Sequence, residues 1–257
     1  NGAPLTYKSD STQSYEIGSK NNLGERFRIA TSVYYIKWND IQQNVYVPYN
    51  CGLQFTDNLG TAVAKGFDVQ SDLVLGAGFT VEAAFGYTSA RFSASTPTPN
   101  PKPPGWMPLV QKGDAISGEA AIDGGPGTNP PWTVALGAQY DFKLAQRSAF
   151  IRMDWEYTAR NPWLAATQDP GTAQFDANTY TLSATHFASL RSGITLGDFQ
   201  VALFCDNLFD SHTTINYELS QTDANNPSFN VLQPTSLQQN DYTWRPRTIG
   251  ITASFRH

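Results

Sequence analysis

The run Trp132-Thr-Val-Ala-Leu-Gly-Ala-Gln-Tyr-Asp-Phe142 sorts its side chains by parity. Trp132, Val134, Leu136, Ala138, Tyr140 and Phe142 fall on one face; Thr133, Ala135, Gly137, Gln139 and Asp141 fall on the other. Successive side chains of a strand point to opposite faces, so this is a strand with one apolar and one polar side. The next run repeats the pattern: Ala149, Ile151, Met153, Trp155 and Tyr157 oppose Phe150, Arg152, Asp154, Glu156 and Thr158.

Working outward, the same alternation occurs at Ser14–Asn21, Arg26–Trp38, Ala62–Leu75, Phe79–Phe92, Phe187–Leu196, Phe199–Phe209 and Arg247–Phe255. That predicts about nine strands, many longer than the usual five or six residues of a globular strand. A bilayer crossing at a steep tilt takes about 9–11 residues. The connections alternate between short and long. Asn21–Glu25, Gly76–Gly78, Lys143–Arg147 and Gly197–Asp198 read as tight hairpin turns. Ile41–Thr61, Ser93–Pro131, Asn161–His186 and Asp210–Pro246 read as long loops, the second rich in proline and carrying Gly124-Gly125-Pro126-Gly127. In an up-and-down sheet all tight turns then gather at one rim and all long loops at the other, as in outer-membrane barrels.

Composition narrows the function classes. The chain has 257 residues, 40% hydrophobic and 15% charged, with 17 Lys+Arg against 22 Asp+Glu and a net charge of −5. No basic tract exists to meet phosphates along a nucleic acid, so none is expected as a partner. No window of 18 apolar residues forms a transmembrane helix, a test that strands escape because alternation averages to polar. Cys51 and Cys205 give no disulfide framework or metal spacing, and sequence leaves open whether they pair. His186, His212 and His257 are far apart, so neither a metal nor a cofactor is expected; His186 and His212 read as loop histidines.

The polar face collects Glu16, Lys20, Asp68, Gln70, Asp72, Glu82, Gln139, Asp141, Arg152, Asp154, Glu156 and Arg191, with interleaved glycines. The apolar face therefore meets lipid or a second sheet, and the polar face lines a wet or plugged lumen. Tyr15, Tyr35, Trp38, Phe79, Tyr87, Phe92, Trp132, Tyr140, Phe142, Trp155 and Tyr157 stand near strand ends and are expected in aromatic girdles. Asp154/Glu156 and Asp68/Asp72 share faces as paired carboxylates would in a hydrolase. Every polar strand face here carries such pairs, however, and no nucleophile–base arrangement accompanies them, so no enzyme is expected.

Five segments carry a family resemblance: Ser14-Tyr-Glu-Ile-Gly-Ser-Lys-Asn21, Ser32-Val-Tyr-Tyr-Ile-Lys-Trp-Asn-Asp-Ile-Gln42, Phe55-Thr-Asp-Asn-Leu-Gly-Thr-Ala-Val-Ala-Lys-Gly-Phe67, Cys205-Asp-Asn-Leu-Phe-Asp210 and Arg245-Pro-Arg-Thr-Ile-Gly-Ile-Thr-Ala-Ser-Phe255. In this order they resemble the C-terminal part of the β-barrel of a TonB-dependent outer-membrane receptor. The resemblance implies an all-β transmembrane antiparallel barrel, of which residues 1–257 supply about nine of about 22 strands. The N-terminal plug and its TonB-contacting segment are not seen in this sequence. Nine antiparallel strands cannot close with both edges paired, so the rest is expected in further sequence or on another chain.

The resemblance further implies energy-coupled uptake of a scarce large solute, of the ferric siderophore, cobalamin or oligosaccharide class, in the outer membrane of a Gram-negative bacterium. Expected partners are outer-membrane lipid, the remaining strands and plug, TonB through that plug, and the barrel-assembly machinery. The last strand, with Thr248, Gly250, Ala253 and Phe255, resembles the signal that machinery reads by strand pairing. Trp106, Met107, Trp163, Phe175, Tyr180 and Tyr217, all in predicted outer loops, are candidates for solute contact, since rings give large area at low entropy cost. Asn207 and Asp210 are expected to make turn or strand-end hydrogen bonds, and Cys205 to face lipid. A passive porin-like or structural barrel is the alternative, and a soluble β-sandwich binding module a further one.

Overall fold

A computed structural model describes residues 6–47, 53–116, 128–222 and 236–255. Its strands are β1 (Ser11–Leu23), β2 (Phe27–Asn39), β3 (Gln42–Val47), β4 (Leu53–Asn58), β5 (Ala62–Gly76), β6 (Phe79–Phe92), β7 (Trp132–Leu144), β8 (Arg147–Thr158), β9 (Thr185–Leu196), β10 (Phe199–Asp206), β11 (Thr214–Thr222), β12 (Ser236–Thr243) and β13 (Thr248–Phe255). Nine of them form one sheet in the order β1-β2-β5-β6-β7-β8-β9-β10-β13, every pair antiparallel. These are the nine runs of alternating sequence. The sheet's edges, β1 and β13, run in the same direction because an even number of antiparallel steps separates them.

The pairing register puts like with like. Arg28, Asp72, Glu82, Gly137 and Asp154 are successive partners in one row across β2, β5, β6, β7 and β8. Strand parity then places all eight carboxylates of the nine strands (Glu16, Asp68, Asp72, Glu82, Asp141, Asp154, Glu156 and Asp206) on one face. The opposite face has none among the described residues. It presents Ile17, Val33, Leu136, Ile151, Met153, Leu203, Ile249 and Ile251, all exposed, Ile249 by 73%. A continuous apolar surface of this extent is stable only against another apolar phase.

Aromatic rings on that apolar face fall in two belts. The upper one joins Phe67, Tyr87 and Trp132, with Tyr87 and Trp132 centroids 4.6 Å apart, and continues through Tyr157 and His186 at 5.0 Å. The lower one pairs Phe79 with Tyr140 at 6.0 Å, Tyr140 with Phe142 at 5.4 Å, and Phe199 with Phe255 at 5.0 Å. On both β6 and β7 the belts stand eight residues apart. At about 3.3 Å per residue and a tilt of about 40°, that separates the belts by about 20 Å along the barrel axis, a little less than the apolar band of about 25 Å that such girdles flank. Two expected girdle members are elsewhere. Trp38 and Phe92 share the parity of the carboxylate face, and Phe92 is buried with Ile41, Val45, Leu59, Ala62, Val110 and Ala166 in a small core under the long loops, Trp38 packing against it. His186, expected in a loop, instead belongs to β9 and the upper belt.

On the carboxylate face, rings fill the gaps above glycines. Tyr34 covers Gly66, Phe150 covers Gly193 and Phe204 covers Gly250, each ring lying over its direct cross-strand partner. A Cβ on Gly250 would stand 2.4 Å from the Phe204 ring. Gly250 thus has a packing role inside the sheet, whatever its part in assembly.

Two of the long loops are not wholly irregular. β3 pairs with β4 and β11 with β12 as separate hairpins. Gln42-Gln-Asn is weak strand sequence, so this ladder depends on Val45 and Phe55 packing into the loop core, a non-local contact. β10 ends at Asp206, three residues before the alternation stops, because Asn207 turns to φ 51°.

The tight turns lie where expected. Gly76, Ala77 and Gly78 all have positive φ, and Gly197 opens the turn between the paired residues Leu196 and Phe199. The β7–β8 turn departs from expectation in its chemistry. Ala145 and Gln146, with φ 48° and 66°, occupy a two-residue hairpin closed by Leu144 and Arg147. Both conformations suit Asn-Gly and cost a side chain about 1 kcal/mol each. Replacing Ala145-Gln146 by Asn-Gly is therefore expected to stabilise the barrel by about 1–2 kcal/mol, read as a rise in the thermal midpoint of its heat-modifiable gel migration.

Candidate functional site

The carboxylate face is concave at β5–β8 and holds two adjoining hollows of about 250 and 370 Å³. Their shared floor is Gln70, Ala84, Ala135 and Glu156, with Asp68 and Asp72 at one side. At its centre, Arg152 donates from Nη2 to Glu82 Oε2 at 2.7 Å and from Nε to Asp154 Oδ1 at 2.9 Å. Gly137 makes room for this triad, since a Cβ there would lie 2.9 Å from Arg152 Nη2. Arg152 is thereby held between β6 and its own strand, so Asp154 is an ion-pair partner and its pairing with Glu156 gives no acid–base dyad. The wall keeps a surplus of negative charge in Asp68 and Glu156, while Asp72 faces Arg28 at 3.8 Å.

Above this wall the long loops form an ordered cap. Segment 113–116 extends the sheet alongside β6: Phe92 N–H donates to the Asp114 carbonyl at 2.9 Å and Ile116 N–H to the Ala90 carbonyl at 3.1 Å. Ala115 bridges in turn to Ala165, joining this loop to the one after β8. Ala173 N–H to the Pro108 carbonyl at 2.8 Å and the Gln174 side-chain amide to the Leu109 carbonyl at 2.7 Å add further stitches. The β11–β12 hairpin docks on the same loop through Tyr217, which is 0% exposed, stacks on Tyr180 at 4.1 Å and donates from its hydroxyl to the Tyr180 carbonyl at 2.8 Å. The Tyr180 hydroxyl donates to Asp241 Oδ1 at 2.8 Å, and burial together with that carboxylate pushes its pKa up to about 12.

The six sequence-predicted aromatic and thioether candidates thus separate. Tyr180 and Tyr217 bind the loops to each other. The Arg91 guanidinium lies over the Trp163 ring, 4.6 Å from the ring centroid, on the apolar side of the sheet. Trp106, beside Lys102 at 5.6 Å, the exposed Met107 and the half-buried Phe175 remain at the surface of the cap. Sequence reasoning missed Trp244, whose ring packs 4.8 Å from the lumen-facing Phe187 and whose indole N–H has no partner among the described residues. Its only signal was an aromatic beside the closing Arg245-Pro motif.

Asn207 and Asp210 make the strand-end contacts expected of them. The Asn207 amide donates to the Ser211 and Arg245 carbonyls at 3.0 and 2.9 Å, while Asp210 Oδ1 accepts from Arg247 N–H at 2.9 Å. That N–H holds the Asp210 carboxyl below the usual range. The turn after β10 is so fastened to the entry of β13. Cys205 shares the apolar face with its partners Leu190 and Ile249. Cys51 lies outside the described residues.

Asp114 marks the seam between the two stitched loops. Its carboxylate accepts the Gln111 N–H at 2.7 Å, yet burial, opposed by that bond and reinforced by the charge of the neighbouring Asp169, pushes its pKa up to about 6. A pKa raised above the unfolded value near 3.8 means the folded seam holds the extra proton. The contribution of Asp114 to seam stability is therefore fully present below pH 3.8 and is lost as pH rises through about 6. Protection of the Ala115 and Ala173 amides against hydrogen exchange, corrected for intrinsic rate, is expected to fall between pH 5 and pH 7.5, and Asp114→Asn is expected to flatten that dependence.

Comparison with known proteins accords with this architecture. The family model described as TonB dependent receptor-like, beta-barrel, matches residues 3–208. Among solved structures, the "Copper transporter OprC" aligns at TM-score 0.58 and 17% identity over 96% of this chain and 32% of its own. The ferric yersiniabactin uptake receptor FyuA from Yersinia pestis aligns at TM-score 0.58 and 14% identity over 95% of this chain and 29% of its own. The unliganded "ferric citrate transporter FecA" aligns at 0.55 and 15% identity, over 95% and 31%. The chain therefore spans about a third of the length of each of these structures. No curated protein matches. With an all-antiparallel sheet, belted and apolar outside and charged within, this chain belongs to the TonB-dependent receptor β-barrel family and forms part of such a barrel.

Proposed function

We propose that this chain is the C-terminal portion of an outer-membrane active transporter that captures a large, scarce solute on its outer loops and passes it through the barrel when TonB acts on a plug supplied by further sequence. The observation that carries this reading is the ordered cap: three long connections are fastened to one another over a concave, charged wall. A solute held there meets aromatic surface above and a wet lumen below. The ferric siderophore class suits both, and structures similar in fold include a ferric yersiniabactin uptake receptor and a ferric citrate transporter.

Within the cap, Trp106, Met107 and Phe175 are the proposed solute contacts, because their side chains are not consumed by the loop stitching. Trp244 and Phe187 offer a second aromatic step at the lumen wall, with an indole N–H to donate. Tyr217, Tyr180 and Trp163 act on this reading as structural anchors. Lumen carboxylates Asp68 and Glu156 keep the path hydrated and favour solutes or plug segments carrying positive charge.

The test uses the full-length receptor in cells with and without TonB, challenged with labelled ferric siderophores, cobalamin and oligosaccharides. Saturable uptake of one class, abolished without TonB, is expected; non-saturable uptake indifferent to TonB indicates a passive barrel instead. For the transported solute, the double change Trp106→Ala, Met107→Ala is expected to weaken binding by about 10-fold or more, about 1.4 kcal/mol, with unchanged heat-modifiable migration. Tyr217→Ala is expected to loosen the β11–β12 hairpin, seen as faster exchange of the Tyr180 amide that its hydroxyl now accepts from at 3.0 Å.

A further inference from the structure

The Pro-rich loop between β6 and β7 and the loop after β8 meet along one seam, and a pair of carboxyl groups sits in it. Asp114, on the first loop, is 5% exposed. Its carboxyl hydrogen-bonds the Asp169 carboxyl of the second loop, and its Oδ2 also accepts the Gln111 N–H at 2.7 Å. Asp169 Oδ1 accepts the Gly171 N–H at 2.8 Å. Two carboxylates have nothing to donate to each other, so this contact exists only while one of the two holds a proton.

Cross-loop bonds flank the pair. Ala115 N–H donates to the Leu164 carbonyl at 2.8 Å, while Ala173 N–H reaches the Pro108 carbonyl and the Gln174 amide that of Leu109. Asp169 lies in the turn between these bonds, its own N–H donating to the Ala165 carbonyl at 3.0 Å and its carbonyl accepting the Thr172 N–H at 3.1 Å. The Gln111 side chain fills the notch at Gly171, where a Cβ would collide with its amide. No ion pair reaches either carboxylate among the described residues. Arg91, paired with Ala115 and so on the other side of the ladder from Asp114, lies against Trp163. Lys112 is exposed, and Asp176, on the loop of Asp169, accepts the Asn178 N–H at 2.9 Å. Val110 and Ala166 belong to one apolar core, which keeps the bases of both loops together.

We propose that the Asp114–Asp169 contact is a proton-operated latch on the cap: sharing one proton it holds the two loops closed, and ionisation of both carboxyls parts their stitches and opens the cap to solute. Burial, with the charge of Asp169, raises the Asp114 carboxyl to about 6. The latch is therefore fully engaged below pH 3.8 and disengages as pH rises through about 6. Repulsion then acts on both loops at once, since the pair joins them without a cation between. The β11–β12 hairpin, fastened to the second loop through Tyr217 and Tyr180, is carried with it. The apolar core stays closed, so the opening is local and the cap does not unfold. This regulation rests on the reading of the cap as the place where solute is held.

The test is double electron–electron resonance on the full-length receptor in bilayers, with spin labels on Lys112→Cys and Pro170→Cys, exposed positions on the two loops, and every native cysteine changed to Ser. With the seam carboxyls intact, one short distance is expected at pH 5, and at pH 7.5 a longer-distance population about 5-fold larger or more than at pH 5. Asp114→Asn is expected to keep the short distance at both pH values, since a neutral amide still donates to Asp169. Asp169→Asn is expected to do the same, and heat-modifiable migration reports the folding of each variant. Gly171→Ala, which forces the Gln111 side chain out of the seam without touching a carboxyl, is expected to give the longer distance at both pH values. A distance that ignores pH while Gly171→Ala lengthens it overturns the latch, and so does a pH response that survives in both Asn variants. Because no solute is needed, opening with pH in a receptor that takes up nothing refutes the transport reading and leaves the latch standing.

Discussion

Everything in this structure depends on the segregation of ionisable side chains by strand parity. A bilayer offers no water to an unpaired charge: a Lys or Arg at mid-depth costs about 2–4 kcal/mol on the lipid face of a barrel, and a carboxylate there is also unfavourable, though less so. Eight carboxylates on six of the nine strands therefore have to agree in register, since a slip of one residue in any of those strands would turn its whole set outward. The observed register satisfies all of them together. Backbone hydrogen bonds run from neighbour to neighbour, which leaves only the two edge strands for pairing with further strands of the barrel.

Segregation has consequences on both sides. Inside, charge creates a hydrated wall that needs local pairing, which the Glu82–Arg152–Asp154 triad supplies over the space left by Gly137. Glycines and overlying rings settle the shape of the same face, a large side chain from one strand filling the notch of the next. Outside, rings mark two levels and aliphatic residues fill the band between them. Of the outward cations on the nine strands, Lys37, Lys65 and Arg91 stand above the upper level and Arg147 lies at the tight-turn rim.

The cap follows a different logic. Its segments are held by a compact apolar cluster around Ile41, Val45, Leu59, Phe92 and Val110, and by hydrogen bonds between loops distant in sequence. This resembles a small soluble core placed on the rim of a membrane structure. Trp38 and Phe92 belong to it because their strands continue beyond the lipid, where the lumen-side parity meets folded loops. The seam at Asp114 shows the cost of such burial: a carboxyl taken from water into this cluster, beside a second carboxyl, keeps its proton to a higher pH.

Strand existence, strand number in the sheet, the polar and apolar faces, the tight turns and the family were legible in the amino-acid sequence, because alternation with a period of two is a local property of neighbouring residues. The Asn207 bonds to Ser211 were legible for the same reason, closing over a short turn, whereas the bonds of Asn207 to Arg245 and of Asp210 to Arg247 reach residues distant in sequence. The β3–β4 and β11–β12 hairpins were not, since Gln42-Gln-Asn has little strand preference and the pairing is held by contacts with distant loops. Nor were the fates of Tyr217, Trp163 and Trp244: an aromatic residue in a loop reads alike whether it faces solute, lipid or another loop. Only the tertiary packing, which brings Tyr217 under Tyr180, Trp163 onto Arg91 and Trp244 against Phe187, decides among them.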